Sequence, residues 1–293
     1  MSSLLMALPG AAGLAGQLGA SLGAEVGTLE LHRFPDGETC PRLSPSPAGR
    51  DVVLLAPLAQ PDERLLALYL SASVARELGA RSVGLVAPYL PYMRQDAVFA
   101  AGQGVTSRHI ARLLSGCCDW LVTVDPHLHR YHDLSELYEI PTRVVPAAPA
   151  IAAWIAAHVA RPMLIGPDAE SAQWVAQVAA GAGCPYTVLS KVRSGDREVA
   201  VSAADAATLH GYTPVLVDDI ISTARTMIAA VRQLQAAGLP PPVCIGVHAL
   251  FAGDAHAALR AAGPARIVTC DTVPHESNGI GLAAALAAAV RAR

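Results

Sequence analysis

Short apolar runs with strand character alternate with helical stretches along almost the whole chain. Val52–Ala56 reads as a strand and Asp62–Leu78 as a helix. Ser82–Ala87, Thr106–Leu114 and Trp120–Val124 continue as strand, helix and strand. The second half repeats the pattern. Pro149–Ala160 reads as a helix with Pro149 suited to its first position, Met163–Ile165 as a strand and Ala169–Ala180 as a helix. Tyr186–Leu189, Glu198–Val201 and Val215–Val217 read as strands, with a helix from Met227 to about Ala237. Val243–Ala249, Asp254–Ala262 and Arg266–Cys270 follow as strand, helix and strand, and the chain ends in a helix. A parallel neighbour needs a long crossover, and a helix supplies it, so this alternation predicts an α/β architecture of largely parallel sheets flanked by helices. At 293 residues two domains are expected. The Pro and Ala stretch Pro146–Pro149 places the boundary between residues 1–146 and 147–293, two halves that read as tandem copies of one architecture.

Composition removes several function classes. Hydrophobic residues make up 53% and charged residues 15%, enough for a large core. A net charge of −3 and 4% aromatics give neither an electrostatic footprint nor stacking platforms for nucleic acid. The six cysteines show no zinc-ligand spacing and mostly sit in or beside apolar runs, as reduced thiols of a cytoplasmic protein do. The apolar start, Met1–Ala24, lacks a basic leader and is broken by Gly10 and Gly13, so a short strand, a turn and a helix are expected. Ile280–Val290 is too short to span a bilayer. No membrane association is expected.

The chemistry-bearing clusters fall at predicted strand ends, where open parallel sheets bind ligands. In Pro214–Met227 the run Val215–Val217 stops at Asp218 and Asp219. A hydroxyl-rich turn with Ser222, Thr223 and Thr226 then leads into a helix. A helix N-terminus offers unpartnered N–H groups to an anion. The hydroxyls add donors, and the carboxylates suit sugar hydroxyls or Mg²⁺. An acidic turn capping an ordinary helix is the plainer alternative.

After Ala87, a loop stiffened by Pro88 and Pro91 ends in Arg94-Gln95-Asp96, a cation suited to phosphate and an amide suited to a base edge; a solvated loop reads equally well. Asp125-Pro126-His127-Leu128-His129 follows Trp120–Val124, and its acid and imidazoles could ligate a divalent ion. Asp168, after Met163–Ile165, could face a ligand, although capping a helix is its commoner role. Arg33-Phe34-Pro35-Asp36-Gly37-Glu38 taken alone is an ordinary turn. Lys191 and Arg193 share one face of an extended strand. Paired cations there suit phosphoryl transfer, where catalysis is largely positioning and electrostatics. Lys191 is also the one lysine among 21 basic residues.

These clusters, in this order, resemble the ribose-phosphate pyrophosphokinase (PRPP synthetase) family from about Phe34 to Asn278. Five short motifs match in sequence: Phe34–Glu38, Arg94–Asp96, Asp125–His127, Lys191–Arg193 and Val217–Asp219. Asp271–His275 with Ser277-Asn278 is similar to the family's C-terminal signature. The stretch at Pro214–Met227 itself resembles the phosphoribosyl-pyrophosphate loop of the type I phosphoribosyltransferase fold. The resemblance implies a tandem of two such domains, ATP bound on the side of residues 1–146 and ribose 5-phosphate in 147–293. It implies ATP contacts at Arg94 and Gln95, and at Phe34, Asp36 and Glu38 toward the ATP of a neighbouring subunit. It also implies Mg²⁺ at His127 and Asp168, and transition-state stabilisation by Lys191 and Arg193. Ribose 5-phosphate would lie on Asp218, Asp219 and the loop Ser222, Thr223, Ala224, Arg225 and Thr226. A homo-oligomer, a dimer or larger, is implied too.

There are departures from the family pattern. Ala97 and Val98 stand where further basic residues are common, and Glu170 and Ser171 where a Gly pair is. Arg225 replaces a small residue of the phosphate loop, where a Cβ would resist positive φ. Two other functions therefore stay open: a phosphoribosyltransferase that consumes PRPP, and a non-catalytic homologue that binds nucleotide or regulates an active partner.

Overall fold

The computed structural model describes residues 3–167, 171–189 and 209–293. The chain divides into two compact units. One runs to Val145 and takes in Thr272–Pro274 and Leu282–Arg293; the other holds Pro146–Asp271 and His275–Gly281.

The first unit opens as expected, with strand β1 (Ser3–Ala7), a turn and helix α1 (Ala12–Leu22). A short β2 (Glu25–Val26) leads into β3 (Thr28–Arg33) and β4 (Thr39–Ser44), which pair antiparallel. Then come β5 (Asp51–Leu55), α2 (Pro61–Glu77), β6 (Ser82–Ala87), α3 (Thr106–Cys117), β7 (Trp120–Val124) and β8 (Thr142–Val145). Six strands form one sheet in the order β2-β1-β5-β6-β7-β8, with every pair parallel. Val52–Leu55 and Val83–Ala87 are buried throughout, as central strands covered on both faces must be, and this is why they read as unbroken apolar runs. Gly84 pairs with Trp120 across β6 and β7. A Cβ there would stand 1.8 Å from the indole, so only glycine lets Trp120 lie over the neighbouring strand.

The β3–β4 hairpin escapes the reading by strands and helices. Its signal is the alternation Leu29-Glu30-Leu31-His32 before a Pro-Asp-Gly turn. Leu29 pairs with Leu43, and these two alone of the hairpin's residues are buried. One inward pair on an otherwise exposed ribbon gives little apolar run to detect.

The second unit comprises α4 (Ala148–His158), β9 (Pro162–Gly166), α5 (Ala172–Ala182), β10 (Tyr186–Val188), β11 (Thr213–Ile221), α6 (Arg225–Ala236), β12 (Val243–Ala249), α7 (Ala255–Ala261), β13 (Arg266–Cys270) and β14 (Asn278–Ile280). Among the described residues its sheet is again six-stranded and parallel, in the order β10-β9-β11-β12-β13-β14. The last helix, α8 (Ala283–Arg291), buries Leu286, Ala287 and Val290 and packs on α1, β7 and β8, so it completes the first unit. The strand expected at Glu198–Val201 lies outside the described residues.

One boundary needs correction. The central strand does not stop at Val217: β11 runs to Ile221, because Asp218, Ile220 and Ile221 still pair with Gly246, His248 and Ala249 of β12. The two acids therefore belong to the strand, not to a turn. Among the described residues no helix is long and apolar enough to cross a membrane.

Candidate active site

In both sheets the polar clusters sit where parallel strands end, on the side that binds ligands in open α/β sheets. In the second unit the site is made largely of backbone. Asp218 and Asp219 are half-buried. Oδ1 of Asp218 accepts from Asp219 N at 3.0 Å, and Oδ1 of Asp219 accepts from Ile220 N at 2.8 Å. Each carboxylate is thus held against its own strand. The loop that follows is stitched to the loop after β12: Phe251 N donates to Ile221 O at 2.9 Å and Ala252 N to Ser222 O at 3.0 Å. Ala224 is the residue that turns the chain into α6. It is buried and takes the left-handed conformation, with φ 57°. Arg225 is the first helical residue, is exposed, and does not have positive φ. The expectation that Arg225 would bear the backbone strain is corrected here, since the strain falls one residue earlier on a smaller side chain. The first N–H groups of α6 lack intrahelical partners, and the helix dipole makes that end attractive to anions. Thr223 and Thr226 are exposed beside them.

In the first unit the site is made of side chains. Arg94 and Gln95 are exposed in the turn after β6, whereas Asp96 is buried. Arg130 Nη1 donates to Asp96 Oδ1 at 2.7 Å, which pins the loop after β6 to the loop after β7. The Arg130 guanidinium also lies over Phe99, 5.7 Å from the ring centroid. Arg108 Nε donates to Tyr131 OH at 3.1 Å, a second tie to the same segment. His127 is half-buried and His129 exposed, their rings almost parallel with centroids 6.5 Å apart. Tyr92 and Asp125, at the mouths of β6 and β7, have φ of 65° and 30°. Such strain persists only where the surroundings hold it, and it clusters at functional sites. The Tyr92 hydroxyl donates to the Asp62 carboxylate, and this bond, with burial and the negative charge, pushes the phenol up to about 12.

At the tip of the β3–β4 hairpin Phe34 N donates to Glu38 O at 2.8 Å and Gly37 N to Phe34 O at 2.9 Å. Gly37 has φ 93°, which a side chain would resist. Phe34 stands 43% exposed at the tip. Its ring meets that of His32 edge to face, with centroids 4.5 Å apart.

Residues 4–117 match the family model described as the N-terminal domain of ribose phosphate pyrophosphokinase, and residues 134–285 match the phosphoribosyl transferase domain. The chain is 34% identical over 276 residues to the ribose-phosphate pyrophosphokinase of Methanopyrus kandleri, covering 94% of each chain. The chain belongs to the ribose-phosphate pyrophosphokinase family. The enzyme of that name from Halobacterium salinarum is 32% identical over 279 residues, covering 94% of this chain and 96% of the relative. The fold is that of the crystal structure of phosphoribosylpyrophosphate synthetase from Mycobacterium smegmatis. The TM-score is 0.84 at 23% identity, over 100% of this chain and 98% of the other.

Within this pyrophosphokinase fold the structure brings Arg94–Asp96 and His127 onto adjoining loops of the first unit, and Asp218–Thr226 onto one strand–loop–helix turn of the second. Asp168, Lys191 and Arg193 lie outside the described residues. Arg130 was missed by sequence reasoning, because nothing near it in the chain marks it as Asp96's partner, 34 residues away. The C-terminal signature proves to be a polar knot. Asn278 Nδ2 donates to Thr269 Oγ1 at 2.9 Å and Cys270 O at 2.8 Å, and its Oδ1 accepts from His275 N at 2.9 Å. Burial, with the neighbouring His256, holds the His275 imidazole below its ordinary value.

Proposed function

We propose that this protein transfers the β,γ-diphosphoryl group of ATP to the 1-hydroxyl of ribose 5-phosphate, giving PRPP and AMP. The hydroxyl oxygen forms a bond to the β-phosphorus, the bond from that phosphorus to the α–β bridging oxygen breaks, and the hydroxyl proton is lost to solvent. The carrying observation is that one chain of this family holds two seats of different kind. One is the cation–amide–imidazole cluster fastened by Asp96 and Arg130. The other is the carboxylate pair followed by a helix N-terminus and two threonines.

In this reading Arg94 and Gln95 hold ATP, and the hairpin tip reaches the adenine of a neighbouring subunit's ATP through Phe34, Asp36 and Glu38. The protein is then a homo-oligomer. Asp218 and Asp219 take the ribose hydroxyls, while Ser222, Thr223 and Thr226, with the backbone of Ala224 and Arg225, take the 5-phosphate. Lys191 and Arg193 stabilise the charge that develops on the transferring group. The donor chemistry fits a divalent cation, because His127 stands half-buried with the half-buried Asp125 just beyond the end of β7. Mg²⁺ is the ion proposed, with His127 and Asp168 as its ligands. It supplies charge neutralisation on the phosphates. A cytoplasmic location is part of this proposal.

Incubation of the pure protein with Mg-ATP and ribose 5-phosphate tests this directly. AMP appearing in step with PRPP is the expected result. Consumption of added PRPP with a nucleobase, or nucleotide binding without turnover, would overturn it in favour of a transferase or a non-catalytic homologue.

A further inference from the structure

We propose that His256, His275 and Glu276 form a transition-metal site, suited to Zn²⁺ and separate from any Mg²⁺ used in catalysis, that braces the loop after β11. One ligand atom from each of the three residues lies within 4.8 Å of the other two. His256 comes from the first turn of α7, and His275 and Glu276 from the connection between β13 and β14, so two separate elements converge. His256 Nδ1 and Glu276 Oε1 are 3.0 Å apart. Tetrahedral donors at about 2.0–2.2 Å from zinc stand roughly 3.4 Å from one another, so an ion replaces the proton that joins this pair with little movement. The third ligand is within reach of a small rotation, since Glu276 is 68% exposed and free to follow.

His275 is held by one of its ring nitrogens. Ser277 N donates to Nδ1 at 3.1 Å and Ser277 Oγ lies 2.7 Å from the same nitrogen, which fixes the ring. While Nδ1 accepts from Ser277 N the neutral ring carries its proton on Nε2. An ion taken at Nε2 moves that proton to Nδ1, which gives up the Ser277 N bond and donates to Ser277 Oγ instead, the outer contact that ligating imidazoles commonly make. The His256 and His275 rings meet edge to face, 4.6 Å between centroids, so their planes already converge from different directions. Two imidazoles and one carboxylate suit zinc, whereas magnesium prefers an all-oxygen shell. A cavity of about 320 Å³, lined by His256 and Glu276 and by Arg260 and Arg266, adjoins the cluster and gives the fourth position room for water.

The bracing runs through Phe251. Its ring stands 4.9 Å from that of His256 and 4.6 Å from that of His275, so it is gripped by both ligands. Its backbone N donates to Ile221 O, and Ala252 N donates to Ser222 O. An ion that immobilises the two imidazoles therefore also holds the residues that carry the loop after β11. Only the naming of that loop's ligand rests on the function proposed above.

Tag-free, chelator-treated, full-length protein titrated with Zn²⁺ by calorimetry, and with Co²⁺ as a visible probe, tests the site without any substrate. One equivalent is expected, with the cobalt spectrum of a nitrogen–oxygen site. Binding should weaken at least tenfold in H256Q and in E276Q. These two variants leave the His275–Ser277–Asn278 knot untouched and so keep the fold. Hydrogen exchange should show the Phe251 and Ala252 amides slowed by Zn²⁺ in the parent and not in H256Q. Failure to saturate below millimolar zinc, a sulfur-to-cobalt band assigning the ion to cysteine, or undiminished binding by both variants would overturn the site. Binding without slowed exchange would overturn the bracing.

Discussion

The loop after β11 and the loop after β6 sit at equivalent ends of two six-stranded parallel sheets, yet they are built of different materials. The first is shaped by main chain: strand-held carboxylates, a left-handed Ala224, two inter-loop backbone bonds and a helix N-terminus. The second is shaped by side chains: the exposed Arg94 and Gln95 are located because a buried Asp96 is tied to Arg130. The main chain gives this loop its shape, and Arg225 fits in the loop proposed to hold the 5-phosphate because it is exposed and does not carry the positive φ. A side-chain seat hangs on a single long-range bond. It should therefore fail on one substitution.

The largest effect is expected from a residue that serves neither seat. Lys191→Ala should lower kcat by on the order of 10²–10³, as loss of one preorganised donor does, while moving neither KM much. Steady-state kinetics with each substrate varied in turn measure this. An unchanged kcat would remove Lys191 from the mechanism and leave the two seats to account for the rate alone.

Asp96→Ala breaks the first-unit seat. Breaking a buried pair is strongly destabilising when the surviving charge stays buried. Arg130 has 51% of its side chain exposed and can return to water, so a stability loss of about 1–2 kcal/mol is expected, nearer the cost of one charged hydrogen bond. The kinetic effect should be lopsided, with KM for ATP rising about tenfold or more and KM for ribose 5-phosphate within about twofold. Equal increases in both constants would mean that the Asp96–Arg130 bond supports the fold at large and not the nucleotide seat.

The same contrast governs what could be read from the sequence. The parallel sheets were legible because strands buried on both faces, such as Val52–Leu55 and Val83–Ala87, are unbroken apolar runs. The loop proposed to hold the 5-phosphate stood out because its parts, Asp218 to Thr226, are contiguous. Arg130 was not, because its meaning lies in Asp96, and spacing along a chain does not reveal which loops meet. The three residues of the proposed zinc site were hidden for the same reason, with His256 about 20 residues from its partners. The misplaced end of β11 has another cause: Asp is rare in strands, so its appearance signals a turn, but pairing with β12 overrides that local preference.

Acid gives a milder way to strain the first unit. The Arg81 guanidinium, followed by Ser82, holds the Asp51 carboxyl at about 2 against an ordinary 3.8. A lowered folded-state value means that the contribution is complete above about pH 4 and is lost as pH falls toward 2. The pair lies near the surface and is worth at most about 1 kcal/mol. Chemical denaturation of the parent and Asp51→Asn at pH 5 and pH 2.5 should show a gap that narrows in acid. A gap of constant size would mean that Asp51 acts through packing.

The smallest effect tests the backbone seat itself, by placing glycine at each of two adjacent positions. At Ala224, glycine removes a left-handed strain of roughly 1–2 kcal/mol. It also adds about 0.5–1 kcal/mol of chain entropy, and it gives up a buried methyl worth about 0.8 kcal/mol. These terms nearly cancel, so Ala224→Gly should change stability by less than about 0.5 kcal/mol. At Arg225 there is no strain to relieve, because the residue is already helical. Arg225→Gly should lower stability by a few tenths to about 1 kcal/mol, the cost of glycine in a helix. It should shift KM for ribose 5-phosphate by less than about tenfold with kcat nearly intact, since the seat there is main chain. The sign of the Arg225→Gly stability change, read from paired denaturation curves, decides the matter. A gain in stability would put the positive φ at Arg225, and the phosphate loop would then depend on its side chains as the loop after β6 does.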